Sequence, residues 1–403
     1  MTEPKAIPQS EQTIFGVNKS IFLLGIVSFL TDLSSEAIFS VFSIFLTVIL
    51  GASAALLGLV EGIADFSASS LDYLAGYFSD RTGKRKVFAM MGYAFSTLAK
   101  SILILQATLL SAASFRVVER LGKSFRGAPR DAWISSMADR KKAGFSFGVH
   151  KAMDKAGAVL GPIGAYFILS RLGESASTFK TLFLLALIPA ALAVIVLFFV
   201  GEKPAQPTKR ENMFVAYKTL GPGFKHYFYT SGLFSLAYFS FSFLLLKAYN
   251  VGFAIQDVTL LYALFNVSFV ITAPLLGKLG DHIGRRTIIA IEYLLYLGMC
   301  MGFIFATAKW EIIALFLVFG IFYAIDESQS KAFITDLEKT KRGTAIGVYN
   351  FFTGLVYLPA SVIAGYLWSL NPNYAFAFGG IISAVAFVFF LSGKTKTLPD
   401  QAL

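Results

Sequence analysis

The chain is poor in the residues that most enzymes and metalloproteins are built on. It has one cysteine, Cys300, and three histidines, His150, His226 and His282. A single thiol cannot close an internal disulfide, so Cys300, inside an apolar run, reads as a packing residue. No His-x-x-x-His spacing and no cysteine pair is present, so the common zinc signatures are missing. The G-x-x-x-x-G-K-[ST] phosphate loop of an ATP-driven pump and the nucleophile elbow of a hydrolase are also missing, and no cofactor is expected. Charge is scarce as well. Asp, Glu, Lys and Arg make up 15% of the 403 residues, against about 25% in soluble domains. Such a chain cannot keep the surface of a soluble fold wetted.

What is abundant is apolar. Hydrophobic residues make up 56% and aromatics 15% of the chain, and mean hydropathy is +0.67. Apolar runs of bilayer length, about 20 residues, recur between short polar connectors. Twelve spans are predicted, at 20–48, 54–77, 87–107, 109–136, 145–169, 178–200, 228–249, 257–278, 287–306, 311–335, 343–368 and 375–392. Lipid requires backbone groups to bond within a helix or around a closed barrel, and no alternating barrel pattern is present. The expected fold class is therefore an all-α membrane protein, with the lipid bilayer as its surroundings.

The net charge of +11 is distributed unevenly. Cations gather in alternate loops: Arg81, Lys84, Arg85 and Lys86; Arg140, Lys141 and Lys142; Lys203, Lys209, Arg210, Lys218 and Lys225; Lys278, Arg285 and Arg286; Lys339, Lys341 and Arg342. The intervening loops carry only Arg171, Lys180 and Lys309. This is the positive-inside asymmetry, which places both termini and the central loop in the cytoplasm. The basic excess orients the chain and does not point to nucleic acid. The first eighteen residues are polar with two prolines and match no cleavable signal peptide.

The expected division is a tail at 1–18, a six-helix bundle at 19–200, a polar central loop at 201–227, a second bundle at 228–393 and a tail at 394–403. One short word supports duplication. Residues 76–86 read GYFSDRTGKRK and residues 277–286 read GKLGDHIGRR, each after the second span of its half. A fainter echo joins KKAGFSFGVH at 141–150 to KRGTAIGVYN at 341–350. Internal repeats are a feature of secondary transporters, whose substrate site lies between the halves near the midplane. In the repeated loop, Gly76 allows close helix approach, Asp80 can cap a helix N-terminus and Gly83 permits a tight turn. Lys86 reads as a topogenic cation only.

Gly76, Asp80, Gly83, Lys84 and Arg85, with Gly277, Leu279, Asp281, Gly284, Arg285 and Arg286, resemble the signature loop of the major facilitator superfamily. The resemblance covers the whole chain and implies two pseudo-symmetric six-helix bundles around a central cavity, in a monomer. It further implies that these loops latch the halves in one state of an alternating-access cycle. Asp80 would then meet the start of the eleventh helix and Asp281 the start of the fifth. The run GAVLGPIG, with Gly157, Gly161, Pro162 and Gly164, is similar to that superfamily's antiporter signature and implies an exporter. Three glycines would form a smooth groove, and Pro162 would permit a bend. Arg116 matches the fourth-helix arginine that the family associates with proton coupling. Glu119 and Arg120 depart from the glutamine and glycine usual there.

Ionisable groups at bilayer depth cost about 2.5–3.5 kcal/mol each on insertion scales, and persist when paired or used. Here they cluster in the first half. Asp32 and Glu36 share a face of the first helix, and Glu61, Asp65 and Asp72 a face of the second. Arg116, Arg120 and Lys123 form a cationic stripe on the fourth, with Glu119 and Arg126 nearby. The expected picture is a cavity wall in which carboxylates of helices one and two face these arginines, able to handle protons or substrate. Glu119 with Lys123 reads as a structural pair, as does Glu327 with Lys331. Lys123 is deep enough to attract an anionic substrate. His150, Lys151, Asp154 and Lys155 read as an interfacial network, with His150 a surface histidine and, as the alternative, a proton relay. Asp326 is the second-half candidate for the cavity.

The function these readings imply is secondary transport of a small-molecule substrate, as a proton-coupled exporter driven by the proton motive force across a bacterial plasma (inner) membrane. Three readings compete with it. They are a proton-coupled importer of an anionic metabolite or metal chelate, a divalent-metal exporter using Asp32, Glu36 and Asp65, and a non-transporting membrane receptor. The receptor would need no charge cluster at membrane depth.

Overall fold

The computed structural model describes residues 13–139, 142–202, 213–339 and 341–393. Most of both tails, the central loop at 203–212, and Arg140, Lys141, Lys203, Lys209 and Arg210 lie outside the described residues.

Fourteen helices make up almost all of it. The first half holds α1 (Lys19–Ile44, continuing into a π-helical turn at Phe45–Ile49), α2 (Ala54–Thr82), α3 (Arg85–Leu105), α4 (Leu109–Met137), α5 (Ala143–Leu172) and α6 (Ala176–Phe198). A short α7 (Met213–Thr219) ends the connector. The second half holds α8 (Pro222–Ala237), α9 (Ser242–Asn250), α10 (Ile255–Ile283), α11 (Arg285–Phe305), α12 (Lys309–Leu337), α13 (Arg342–Leu370) and α14 (Pro372–Ser392). Strand structure, not expected, is limited to a hairpin of two-residue strands, β1 (Thr13–Ile14) and β2 (Val17–Asn18), ahead of α1.

Among the described residues, nine helical units are long and apolar enough to cross a bilayer. The other three spans, α4, α5 and α12, are just as long, at 29, 30 and 29 residues. Their apolar windows are interrupted by the charges that face inward. Polar side chains start several helices. Ser53 accepts the Leu56 N–H at 3.2 Å, and Thr108 and Ser111 form a reciprocal capping box on α4. α2 stops at Gly83, whose φ of +68° suits glycine, and Gly284 has φ +88° at the equivalent turn.

The seventh span is not the single helix expected. It breaks at 238–241 between α8 and α9. The loosened backbone finds side-chain partners, since the Ser240 N–H donates to Ser361 Oγ at 3.2 Å. A break at membrane depth is tolerated where it is buried in protein or lines a cavity.

The repeated loop works within each half as a strut. Arg85 donates to the Ala132 carbonyl at 3.1 Å, and Arg285 donates to the Ala332 carbonyl at 2.9 Å. The bonds are two copies of one contact, 200 positions apart. Lys86 Nζ donates to the carbonyls of Phe198 (3.2 Å) and Val200 (2.6 Å), at the end of α6. Arg286 likewise donates to Phe390, Leu391 and Gly393 at the end of α14. Lys86 is therefore more than topogenic. It neutralises carbonyls that a helix C-terminus leaves without partners.

Glycines set how closely the helices approach. A Cβ on Gly157 would strike the Phe29 carbonyl and one on Gly161 the Leu33 carbonyl, so α5 lies backbone to backbone on α1. Gly164 faces open space, so the groove rests on two glycines rather than three. Between the halves, Gly58 of α2 abuts Gly365 and the Ser361 carbonyl of α13, and Gly354 abuts Ser69 and Ser70. α5 packs on α10, the second contact that joins the halves.

Candidate functional site

A cavity of about 410 Å³ lies between the halves, walled by α1, α2, α4 and α5 on one side and by the break at 238–241, α9, α10, α12 and α13 on the other. It extends towards the end that carries the Gly-Asp loops, where Asp72, Lys155 and Lys331 line it. At the opposite end the halves meet. There Glu174, in the α5–α6 loop, accepts the Ile255 N–H at the start of α10, at 2.8 Å.

The centre of the first-half wall is an ion pair. Arg116 donates through Nε and Nη2 to the two oxygens of Glu61, at 2.9 and 2.6 Å. Glu61 is 0% exposed and Arg116 4%. The guanidinium lies 4.2 Å from the ring centre of Phe39. The pair also reaches across to the other half, because Ser240 Oγ, in the break of the seventh span, donates to Glu61 Oε2 at 3.1 Å. A second cross-half bond runs from the Tyr262 hydroxyl to the Glu36 carboxylate. Two acids of the first half thus hold two polar groups of the second.

The expected stripe on α4 is present. Arg116, Arg120 and Lys123 all line the cavity, as do Glu36, Asp65 and Asp326. Arg120 stands 3.8 Å from Asp65 and 5.1 Å from the Phe39 ring. Glu61 and Glu119 do not line it; both are fully buried behind the wall. Glu119 is 3.8 Å from Arg126 and accepts from Ser35 at 3.3 Å. The anticipated Glu119–Lys123 pair does not form, because Lys123 turns out into the cavity while Glu119 turns towards α1 and α3. Asp32 is half-buried, outside the cavity lining, within electrostatic reach of Glu36, Lys123, Asp154 and Lys155. Among the described residues neither Asp32 nor Glu36 forms an ion pair with the α4 arginines, whose guanidinium groups lie over the Phe39 ring. Glu327 and Lys331 pair as expected, at 2.7 Å, and both face the cavity.

His150 is not a surface histidine. It is 3% exposed, and its Nε2 lies 2.9 Å from Ser28 Oγ. Ser28 also meets Tyr93 at 3.2 Å and accepts from Arg130 at 3.4 Å. With Asp154 3.9 Å from Arg130, these residues form a buried polar cluster where α5 crosses α1.

Sequence reasoning passed over Lys100. It is fully buried in α3 and donates to Ser35 Oγ and the Ser96 carbonyl, both at 3.2 Å. A lone cation in the middle of an apolar span was the available signal. Ser240 gave none, since a serine acquires its role from the break around it.

The two Gly-Asp loops lie at the basic end. Gly76 is buried and Asp80 half-buried. Asp281 is exposed and accepts from Arg285 of its own loop at 3.1 Å, while Arg285 also donates to Asp336 at 2.9 Å. The fifth helix is not its partner in this conformation. Gly277 faces open space, and Gly280 is the glycine in close contact, against Gln329. Among the described residues no three His, Cys, Asp or Glu side chains gather to hold a metal ion.

A sequence model of the Major Facilitator Superfamily matches residues 24–255 and 228–402. An uncharacterized MFS-type transporter of Methanocaldococcus jannaschii is 35% identical over 92% of this chain and 94% of its own length. Multidrug resistance protein 2 of Bacillus subtilis is 23% identical over 85% of this chain and 87% of its length. Among solved structures, a D-xylose–proton symporter superposes with a TM-score of 0.75 at 16% identity, covering 94% of this chain and 98% of the other, a likeness of fold alone. With nine helical units among the described residues long and apolar enough to cross a bilayer, the chain is a multi-pass membrane transporter, not an enzyme, and it belongs to the major facilitator superfamily.

Proposed function

We propose that this protein is a proton-coupled exporter of a small organic solute, working as a monomer by alternating access in a bacterial inner membrane with both termini in the cytoplasm. The observation that carries the reading is the buried Glu61–Arg116 pair, whose carboxylate also holds Ser240 of the opposite half. A proton arriving on Glu61 would weaken both bonds at once. It would thereby tie the charge state of one half to the broken helix of the other, which is the linkage that alternating access requires. Asp32, Glu36, Asp65 and Asp326 are the further groups for proton or substrate handling. Asp80 and Asp281 would engage the opposite half in the alternate state. Export is supported by the contact of Gly157 and Gly161 with α1 and by similarity to a multidrug resistance protein.

The test is transport in proteoliposomes under an imposed pH gradient, with solute and proton fluxes followed together. Coupled, opposite fluxes that are lost in Glu61→Gln support the reading. Solute movement indifferent to the gradient, or coupling fully retained in Glu61→Gln, sinks it.

A further inference from the structure

The two walls of the cavity differ in kind. The first-half wall is the more densely charged: Arg116, Arg120, Lys123 and Lys155 face the space beside Glu36, Asp65 and Asp72, against Asp326, Glu327 and Lys331 on the other side. The second-half wall carries rings. Phe241, Phe265, Phe319 and Tyr323 form one continuous platform. Centroids are 4.9 Å apart for Phe241–Phe265, 5.3 Å for Phe265–Phe319 and 5.5 Å for Phe265–Tyr323, and Phe319 and Tyr323 stack at 6.3 Å.

The charges bordering the cavity are not evenly satisfied. Glu36 is held by Tyr262, Asp72 accepts the Ala128 N–H at 3.0 Å, and Glu327 is held by Lys331. Arg120 meets Asp65 only at 3.8 Å, beyond hydrogen-bond distance, and its Nε has no hydrogen-bond partner. Lys123 is exposed to the cavity and makes no ion pair among the described residues. Lys155 lies 4.6 Å from the Phe269 ring and makes no ion pair within 4 Å among the described residues, its acids Asp32, Asp154 and Glu327 acting from farther off. On the other wall the acid outside a pair is Asp326 alone. The capacity left open at the first-half wall is therefore chiefly that of hydrogen-bond donors, on Arg120, Lys123 and Lys155, although Glu36, Asp65 and Asp72 line the same wall. A buried cation with no hydrogen-bonded carboxylate needs either a functional counter-charge or a route to water.

We infer that the cavity binds a ring-bearing organic anion, with its carboxylate or similar group between Arg120, Lys123 and Lys155 and its ring against the Phe265–Phe319–Tyr323 platform. The inference rests on the transporter reading for its biological sense, but binding itself does not depend on transport. The size agrees, since small-molecule pockets run from about 300 to 1,000 Å³ and this one suits a solute of one or two rings. The arrangement also selects. A neutral ring forfeits the charge-assisted bonds, an organic cation meets Lys123 and Lys155 with like charge, and an anion lacking a ring leaves the platform uncovered.

The experiment is thermal stabilisation of the full-length protein in detergent by cinnamate, 2-naphthoate and indole-3-acetate. Cinnamyl alcohol, phenethylamine, phenylalanine and acetate are compared at equal concentration. The ring-bearing anions should stabilise most. Lys123→Gln should weaken their binding about tenfold, as loss of one charge-assisted bond implies, while Lys123→Arg retains it. A preference for the alcohol, the amine or the zwitterion overturns the inference, as does a Lys123→Gln variant that binds the anions unchanged or no stabilisation by any of the three. Such a failure leaves the transporter reading standing if another solute still moves with protons in vesicles. Anion binding without coupled flux would instead sink the transporter reading and leave this one intact.

Discussion

Glu61→Gln is the most informative single change. It preserves shape and one acceptor oxygen but removes the charge that Arg116 faces across 2.9 and 2.6 Å. Glu61 is 0% exposed and Arg116 4%, so the guanidinium recovers little hydration. Removing one partner of a buried pair costs about 3–5 kcal/mol. The remaining amide oxygen still accepts a bond from the charged donor, which returns about 1.5 kcal/mol. The expected loss is thus about 1.5–3.5 kcal/mol of stability. Replacing both residues, as Glu61→Leu with Arg116→Met, should recover most of it, because an apolar pair of similar volume carries no stranded charge. The assay is unfolding in mixed micelles by SDS titration, arranged as a double-mutant cycle with transport measured alongside. Stability should return in the double variant and coupling should not. A Glu61→Gln protein that unfolds like the parent, or a double variant as weak as the single, would refute the claim that burial makes this pair strong.

Other outcomes follow from single contacts. Lys86→Ala and Arg286→Ala should fray the ends of α6 and α14, seen as faster amide exchange at 196–200 and 389–393; unchanged exchange would mean that the carbonyl contacts hold nothing. Gly157→Val and Gly161→Val should prevent α5 from seating on α1 and abolish monodisperse expression, whereas Gly164→Ala should express normally because its side faces open space. Tyr262→Phe removes the cross-half bond to Glu36, and should raise the labelling of cysteines placed at the Glu174 end; labelling at the parent rate would show that this bond does not help close that end. Asp80→Asn should change thiol accessibility from the basic end if that loop latches the halves, and leave it unchanged if the loop is only a strut.

Much of the architecture could be read in one dimension. Apolar length, positive loops and the doubled Gly-Asp word are properties of the chain's order, and lipid leaves a helix few alternatives. The same logic placed Arg116, Arg120 and Lys123 on one inward stripe, since helical spacing sets which residues share a face. What spacing could not supply was the partner across the gap. Glu119 lies four residues before Lys123, the usual distance for a pair, yet it turns to Arg126 and Ser35 while Lys123 enters the cavity. His150 looked interfacial by its position near a loop. The crossing of α5 over α1, set by Gly157 and Gly161, carried it into a buried cluster with Ser28.

The order of residues alone determined an all-helical membrane body, its duplication and the presence of charges that had no reason to be in lipid unless they were used. Only the folded arrangement decided that Glu61 belongs to Arg116 and Ser240, that the seventh span breaks between α8 and α9, and that the α4 cations face an aromatic platform across one cavity. The physical reason is range. Burial in lipid acts on each segment separately and leaves its mark in composition, whereas a hydrogen bond is made or lost within a few tenths of an ångström, here between residues 179 positions apart.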